Sequence, residues 1–98
     1  MTIEELQQRR DVWPIIREAL PDALAMIHHS VDAVIEDADL MRHLERKFRK
    51  GEAEHGGAWL RDVDDPSWLV TEAAEEILDF ILYQAMFVII CEAKREAA

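Results

Sequence analysis

The chain has 98 residues, of which half are hydrophobic and a third are charged, with only three glycines and three prolines. This length suits a single helical domain spanning residues 1–98, and so few chain breakers disfavour an all-β fold. The net charge of −10 excludes direct nucleic-acid binding as the expected function, because phosphate contacts depend on clustered lysines and arginines.

The N-terminal part of the chain carries signals for short helices. Thr2 opens a capping-box pattern, which predicts a first helix over residues 3–12. Pro14 and Pro21 both suit the first turn of a helix, where the missing N–H has no partner. We therefore expect a short helical segment over residues 15–20 and a new helix that begins at Pro21.

The segment 22–50 contains no glycine or proline and repeats apolar residues with heptad spacing. The repeat consists of Ile27, Val34, Met41 and Phe48, with Leu24, Val31 and Ala38 at the alternate position. Such a pattern predicts one long amphipathic helix. We expect that helix to end at Gly51, which would serve as its C-cap.

Residues 51–65 have the glycines and acids of a connector, in which Ala58-Trp59-Leu60 is expected to form one helical turn. Asp65 and Pro66 suit the N-cap and the first helical position of a last helix, which is predicted over residues 66–94. Two long helices joined in this way predict an all-α fold, an antiparallel helical hairpin with the short N-terminal helices packed across it.

The last helix is apolar on every side between Phe80 and Ile90. One partner helix covers only a stripe of such a surface, so we expect a second subunit to cover the rest and to complete the bundle as a homodimer or tetramer. The predicted interface residues are Phe80, Phe87, Ile89 and Ile90.

Two observations concern the compartment. Cys91 is the only cysteine, which excludes an internal disulfide and fits a reducing cytoplasm. The longest apolar stretch, residues 77–90, contains Asp79 and Gln84 and falls short of the roughly 20 residues that a membrane span requires. We therefore expect a cytoplasmic protein without a membrane anchor.

Acidic side chains recur on one side of the last helix. At helical spacing Glu72, Glu76 and Asp79 share a stripe with Tyr83, and Glu75 lies beside it. The same stripe continues to apolar residues, so we expect the acids to lie on a line that enters the core. Crowded carboxylates are commonly compensated by a divalent cation, and the alternative is a solvated acidic patch at the helix N-terminus.

The long predicted helix offers two weaker signals. Its polar stripe could bind a metal through i,i+4 steps, although a solvated face explains it more simply; it comprises His28, Asp32, Glu36, Asp39 and His43. Its C-terminal end carries five of the chain's eleven cations, Arg42, Arg46, Lys47, Arg49 and Lys50. Compensation of the helix dipole accounts for this basic run, and binding of a polyphosphate is the functional alternative.

Two segments of the C-terminal half carry a family resemblance. They are Lys50-Gly51-Glu52-Ala53-Glu54-His55-Gly56-Gly57-Ala58-Trp59-Leu60 and Trp68-Leu69-Val70-Thr71-Glu72-Ala73-Ala74-Glu75-Glu76-Ile77-Leu78-Asp79 with Tyr83. These segments resemble the all-α nucleoside triphosphate pyrophosphohydrolases of the MazG-like group and small phage proteins related to them. In that group Glu-x-x-Glu and Glu-x-x-Asp motifs face each other from different helices, whereas here both lie on the last helix.

The resemblance implies a magnesium-dependent hydrolase that splits a nucleoside triphosphate into a monophosphate and pyrophosphate, with manganese as a second usable cation. The metal ligands would be Glu72, Glu75, Glu76 and Asp79. Lys47, Lys50 and His55 would hold the phosphates, and Trp59, Trp68 and Tyr83 would contact the nucleotide. The alternative function is a non-catalytic helical module that binds another protein through its acidic or apolar surface, as a phage or regulatory inhibitor of a host protein does.

Overall fold

The computed structural model describes residues 1–56 and 64–97, and the side chain of His55 lies outside this description. The described chain is all-α, as the sequence predicts, and it has four helices. They are α1 (Ile3–Gln8), α2 (Trp13–Ile35), α3 (Leu40–His55) and α4 (Ser67–Ala97). The predicted helical turn at Ala58-Trp59-Leu60 lies outside the described residues.

Helix α1 begins as predicted and ends earlier. The Thr2 hydroxyl accepts the backbone N–H of Glu5 at 3.1 Å, which caps the helix. The prediction that α1 reaches residue 12 is wrong, because the backbone at Arg9 is already extended. Asp11 instead accepts the backbone N–H of Trp13 at 3.0 Å, so the chain uses residues 9–12 to start the next helix.

Helix α2 differs from its prediction at both ends. It begins at Trp13 and continues through Pro21, so Pro21 lies inside a helix and not at the start of one. It also stops at Ile35, which divides the predicted 22–50 helix in two. The Asp37 carboxylate accepts the backbone N–H of Asp39 at 2.7 Å, and this local turn competes with helical hydrogen bonding. The acids Glu36 and Asp37 directly follow the C-terminus of α2, where the negative end of the helix dipole also disfavours a longer helix.

Helix α3 runs past the predicted C-cap. Gly51 is a helical residue, and Gly56 ends the helix in the left-handed conformation with φ 59°. The backbone N–H of Gly56 donates to the carbonyl oxygen of Glu52 at 2.8 Å. The prediction of Gly51 as C-cap is therefore wrong, because Gly56 is the residue that adopts the left-handed conformation at the end of α3.

The chain divides into two compact units. The first contains Met1–His28 and Glu75–Ala98, and the second contains His29–Ala74. In the first unit α2 and α4 pack antiparallel, with α1 beside them, as the predicted hairpin required. Its core is formed by Ile16, Ala19, Ala23, Ala85 and Val88. Small side chains at these positions allow the two helix backbones to approach closely.

The second unit has a different character. None of its described residues is fully buried. The break between α2 and α3 partly explains why no described residue of this unit is fully buried. Val34 and Met41 belong to separate helices, so they do not form the continuous apolar stripe that the heptad pattern predicted. No helix within residues 1–56 and 64–97 has the length and apolar character needed to cross a membrane.

Candidate functional site

The first half of α4 carries the predicted metal ligands on its surface. Glu72, Glu75, Glu76 and Asp79 are all exposed. The expectation that their stripe enters the core is wrong, because Met86 and Ile90 farther along it are exposed as well. The carboxylates of this helix therefore face solvent and need no buried counter-charge.

Helix α4 begins with a side-chain cap. The Asp65 carboxylate accepts the backbone N–H of Ser67 at 3.1 Å, so Asp65 caps the helix as the sequence predicts. Hydrogen bonds from the side chain and the backbone of Ser67 hold the pKa of Asp65 below its ordinary value. The cap keeps the acidic first turns of α4 helical, and with them the spacing of the predicted ligands.

The predicted nucleotide-contacting residues lie in different environments. Trp68 is half-buried near the start of α4, and Tyr83 is exposed near its middle. Trp59 lies outside the described residues, as does the side chain of His55. The tyrosine ring is therefore accessible to a ligand or to another protein.

The basic run of α3 is partly neutralised by its own helix. Lys47 and Lys50 are exposed. The Lys50 amine lies 4.0 Å from a Glu54 carboxylate oxygen, and Arg49 pairs with Glu45 at 3.1 Å. Exposed pairs of this kind stabilise a helix by roughly 0.3–0.5 kcal/mol each. The side chains of the predicted phosphate-binding lysines remain accessible from solvent.

The structure brings three ligand-type side chains together at the turn between α2 and α3. Oxygen and nitrogen atoms of Asp37, Asp39 and His43 lie within 4.8 Å of one another, and this is the one such group in the described part of the chain. Sequence reasoning included Asp39 and His43 in a polar stripe and did not include Asp37. The signal for Asp37 is the Asp-Ala-Asp sequence, which favours a turn where a heptad pattern suggested a helix.

Protein groups already use the atoms of this cluster. Asp37 accepts the backbone N–H of Asp39, and its other oxygen lies 3.7 Å from His43 Nε2. Asp39 accepts a hydrogen bond from Arg42 at 3.0 Å, and Arg46 lies 3.4 Å from His43 Nδ1. The cluster therefore works as a solvated turn between two helices.

The predicted interface residues of α4 fall into two groups. Phe87 and Ile90 are exposed, whereas Phe80 is half-buried and Ile89 packs against the core of the first unit. Ile90 also lines a groove of about 290 Å³ together with Ile3, Leu6, Gln7 and Lys94. The N-terminal amine of Met1 forms an ion pair with Glu96, which fixes the start of α1 against the end of α4 and raises the pKa of that amine.

No family model, curated protein or solved structure matches this chain. The resemblance to the MazG-like group therefore stays a prediction from the sequence motifs alone.

Proposed function

We propose that the protein is a magnesium-dependent nucleoside triphosphate pyrophosphohydrolase of the MazG-like type. The observation that supports this is the exposure of Glu72, Glu75, Glu76 and Asp79 on successive turns of α4. Magnesium prefers oxygen ligands and keeps several waters, so one or two accessible carboxylates together with substrate phosphates are enough to hold it. The donor set of α4 fits this requirement.

In this proposal Glu72, Glu75, Glu76 and Asp79 would hold a hydrated magnesium ion at the surface of α4. The cation, when bound, neutralises phosphate charge and lowers the pKa of an attacking water. Trp68, at the start of the same helix, offers a ring on which the base can stack. These residues position the substrate without forming a covalent bond to it.

The direct test is pyrophosphate release from nucleoside triphosphates with and without magnesium. Glu75→Gln removes one ligand charge with little change in shape and is expected to lower the rate at least about tenfold. Glu92→Gln is the matched control, because Glu92 is an exposed acid of the same helix outside the proposed ligand set. Equal rates for the two variants would contradict the assignment.

A second candidate function is a non-catalytic module that binds another protein. Its support is the exposure of large apolar side chains along α4, among them Val70, Tyr83 and Phe87. A thermal-shift panel separates the candidates, because a ligand of the folded state raises the melting temperature by mass action. Magnesium with a nucleotide is expected to stabilise the hydrolase and to leave the interaction module unchanged.

A further inference from the structure

One side of α4 packs on α2, and among the described residues the opposite side is largely exposed. The packed side contributes Ala85 and Val88 to the core. The exposed side carries four large side chains that are between 42% and 67% exposed, namely Tyr83, Met86, Phe87 and Ile90. At about 100° per residue these four lie within an arc of about 100° on the helix. We call this surface the outer face of α4.

Opposite charges mark the two ends of the outer face. Asp79 lies one turn before Tyr83, and Lys94 lies one turn after Ile90, both on the same arc. Both charged side chains are exposed. The outer face therefore runs from an acidic end through an apolar centre to a basic end.

We propose that the outer face binds a second copy of this chain, with the two α4 helices antiparallel about a two-fold axis that passes between Met86 and Phe87. Asp79 and Lys94 each lie about 11 Å from that axis along the helix, at about 1.5 Å per residue. Rotation about the axis therefore places Asp79 opposite the partner's Lys94. The same rotation pairs Tyr83 with the partner's Ile90, and Met86 with the partner's Phe87.

The groove beside α1 fits this arrangement. Its walls are Ile3 and Leu6 of α1 and Ile90 of α4, and its polar groups are Gln7 and Lys94. The partner's Tyr83 lies opposite Ile90 and can place its ring in this groove. An aromatic ring is buried there with its hydroxyl near polar side chains, as tyrosines in protein interfaces usually are.

Self-complementarity favours a second copy over an unrelated protein. A two-fold interface uses the same patch on both subunits, so each patch must carry both members of every pair that it makes. The outer face meets this condition in charge and in apolar contacts. With side chains of about 200 Å² that are roughly half exposed, its four apolar residues offer on the order of 400 Å² per copy. The charged ends and α1 extend this towards the size of a specific interface.

The proposal does not rest on the hydrolase assignment, and its test is made without divalent cations. Sedimentation velocity at about 10–100 µM, with EDTA present, is expected to show a dimer. Lys94→Glu places an acid opposite Asp79 twice in each dimer, so we expect at least about a tenfold weaker association. Asp79→Lys is expected to act in the same way. Combining the two substitutions in one chain restores opposite charges and is expected to restore the dimer.

Two further variants test the apolar contacts. Tyr83→Ser on the outer face is expected to weaken the dimer by at least about tenfold. Ile77→Ser is the matched control, because Ile77 is similarly exposed at 59% but lies outside the outer face. A wild-type monomer at about 100 µM overturns the proposal. So does a dimer that ignores the single charge reversals, because a parallel pair or another surface predicts that result.

Discussion

Replacing Pro21 with alanine is expected to stabilise the protein. Pro21 lies more than two turns inside α2. Its ring cannot donate the backbone hydrogen bond to the carbonyl oxygen of Arg17 and crowds that carbonyl. Proline in a helix interior costs about 3 kcal/mol relative to alanine. Arg17 and Pro21 are both exposed, so water can bond to the carbonyl, and we expect a net gain of about 2 kcal/mol from Pro21→Ala.

Thermal unfolding followed by circular dichroism measures this gain. For a chain of this size about 2 kcal/mol raises the melting temperature by roughly 8–16 °C. Pro14→Ala is the matched control, because Pro14 lies in the first turn of α2 and its missing N–H has no helical partner. Both variants are compared at one protein concentration. A melting temperature for Pro21→Ala that equals or falls below that of Pro14→Ala would refute a continuous α2.

Three further predictions concern the fold, and a fourth concerns the proposed dimer. Ala85→Leu is expected to cost about 1–3 kcal/mol by overpacking a fully buried site, whereas Ala25→Leu on the exposed side of α2 is close to neutral in a urea melt. Gly51→Ala gains about 1 kcal/mol inside α3, and Gly56→Ala loses about 1–2 kcal/mol because its φ of 59° suits glycine. The lowered pKa of Asp65 means that its cap stabilises the fold at neutral pH and is lost as the pH falls through the folded-state pKa, which an NMR titration detects. The melting temperature is expected to rise with protein concentration if the dimer forms, and a constant value contradicts that linkage.

The fold class could be predicted because the strong signals were helical. Apolar spacing in the last third of the chain and the Asp65–Pro66 pair predicted α4 over 66–94, and the observed helix Ser67–Ala97 begins one residue later and ends three residues later. The interruption after Ile35 could not be predicted from breakers, because residues 36–39 contain neither glycine nor proline. It depends on a hydrogen bond from a backbone N–H to the Asp37 side chain, and the heptad pattern across it favours the opposite conclusion.

The prolines and glycines of the sequence did not by themselves show where the helices begin and end, because both residue types also occur inside helices at a moderate energetic cost. Proline suits a first turn, but a helix with a water-exposed carbonyl can also contain it, so Pro21 alone does not distinguish the two. Glycine costs about 1 kcal/mol inside a helix, which packing of other residues can offset. Gly51 and Gly56 were therefore both candidates for the C-cap, and the backbone path of α3 decided between them.

The sequence also could not show whether the acidic side of α4 is buried or exposed. Helical spacing predicts that Glu76 and Asp79 share a side of α4, which needs only the helix itself. Whether that side is buried depends on where α2 packs, and α2 packs against Ala85 and Val88 on another side. The acids are consequently exposed, and so are the apolar residues that continue their stripe.

The composition of the core connects the fold to assembly. The first unit buries mostly alanines between α2 and α4, and no large side chain in the described chain is fully buried. Alanine contributes little apolar area, whereas burying a large side chain contributes about 1.5–3 kcal/mol. Four large apolar residues of α4 lie on the outer face instead, namely Tyr83, Met86, Phe87 and Ile90. Burial of that face in the proposed antiparallel dimer would therefore add hydrophobic stabilisation that the alanine-rich core of one protomer lacks.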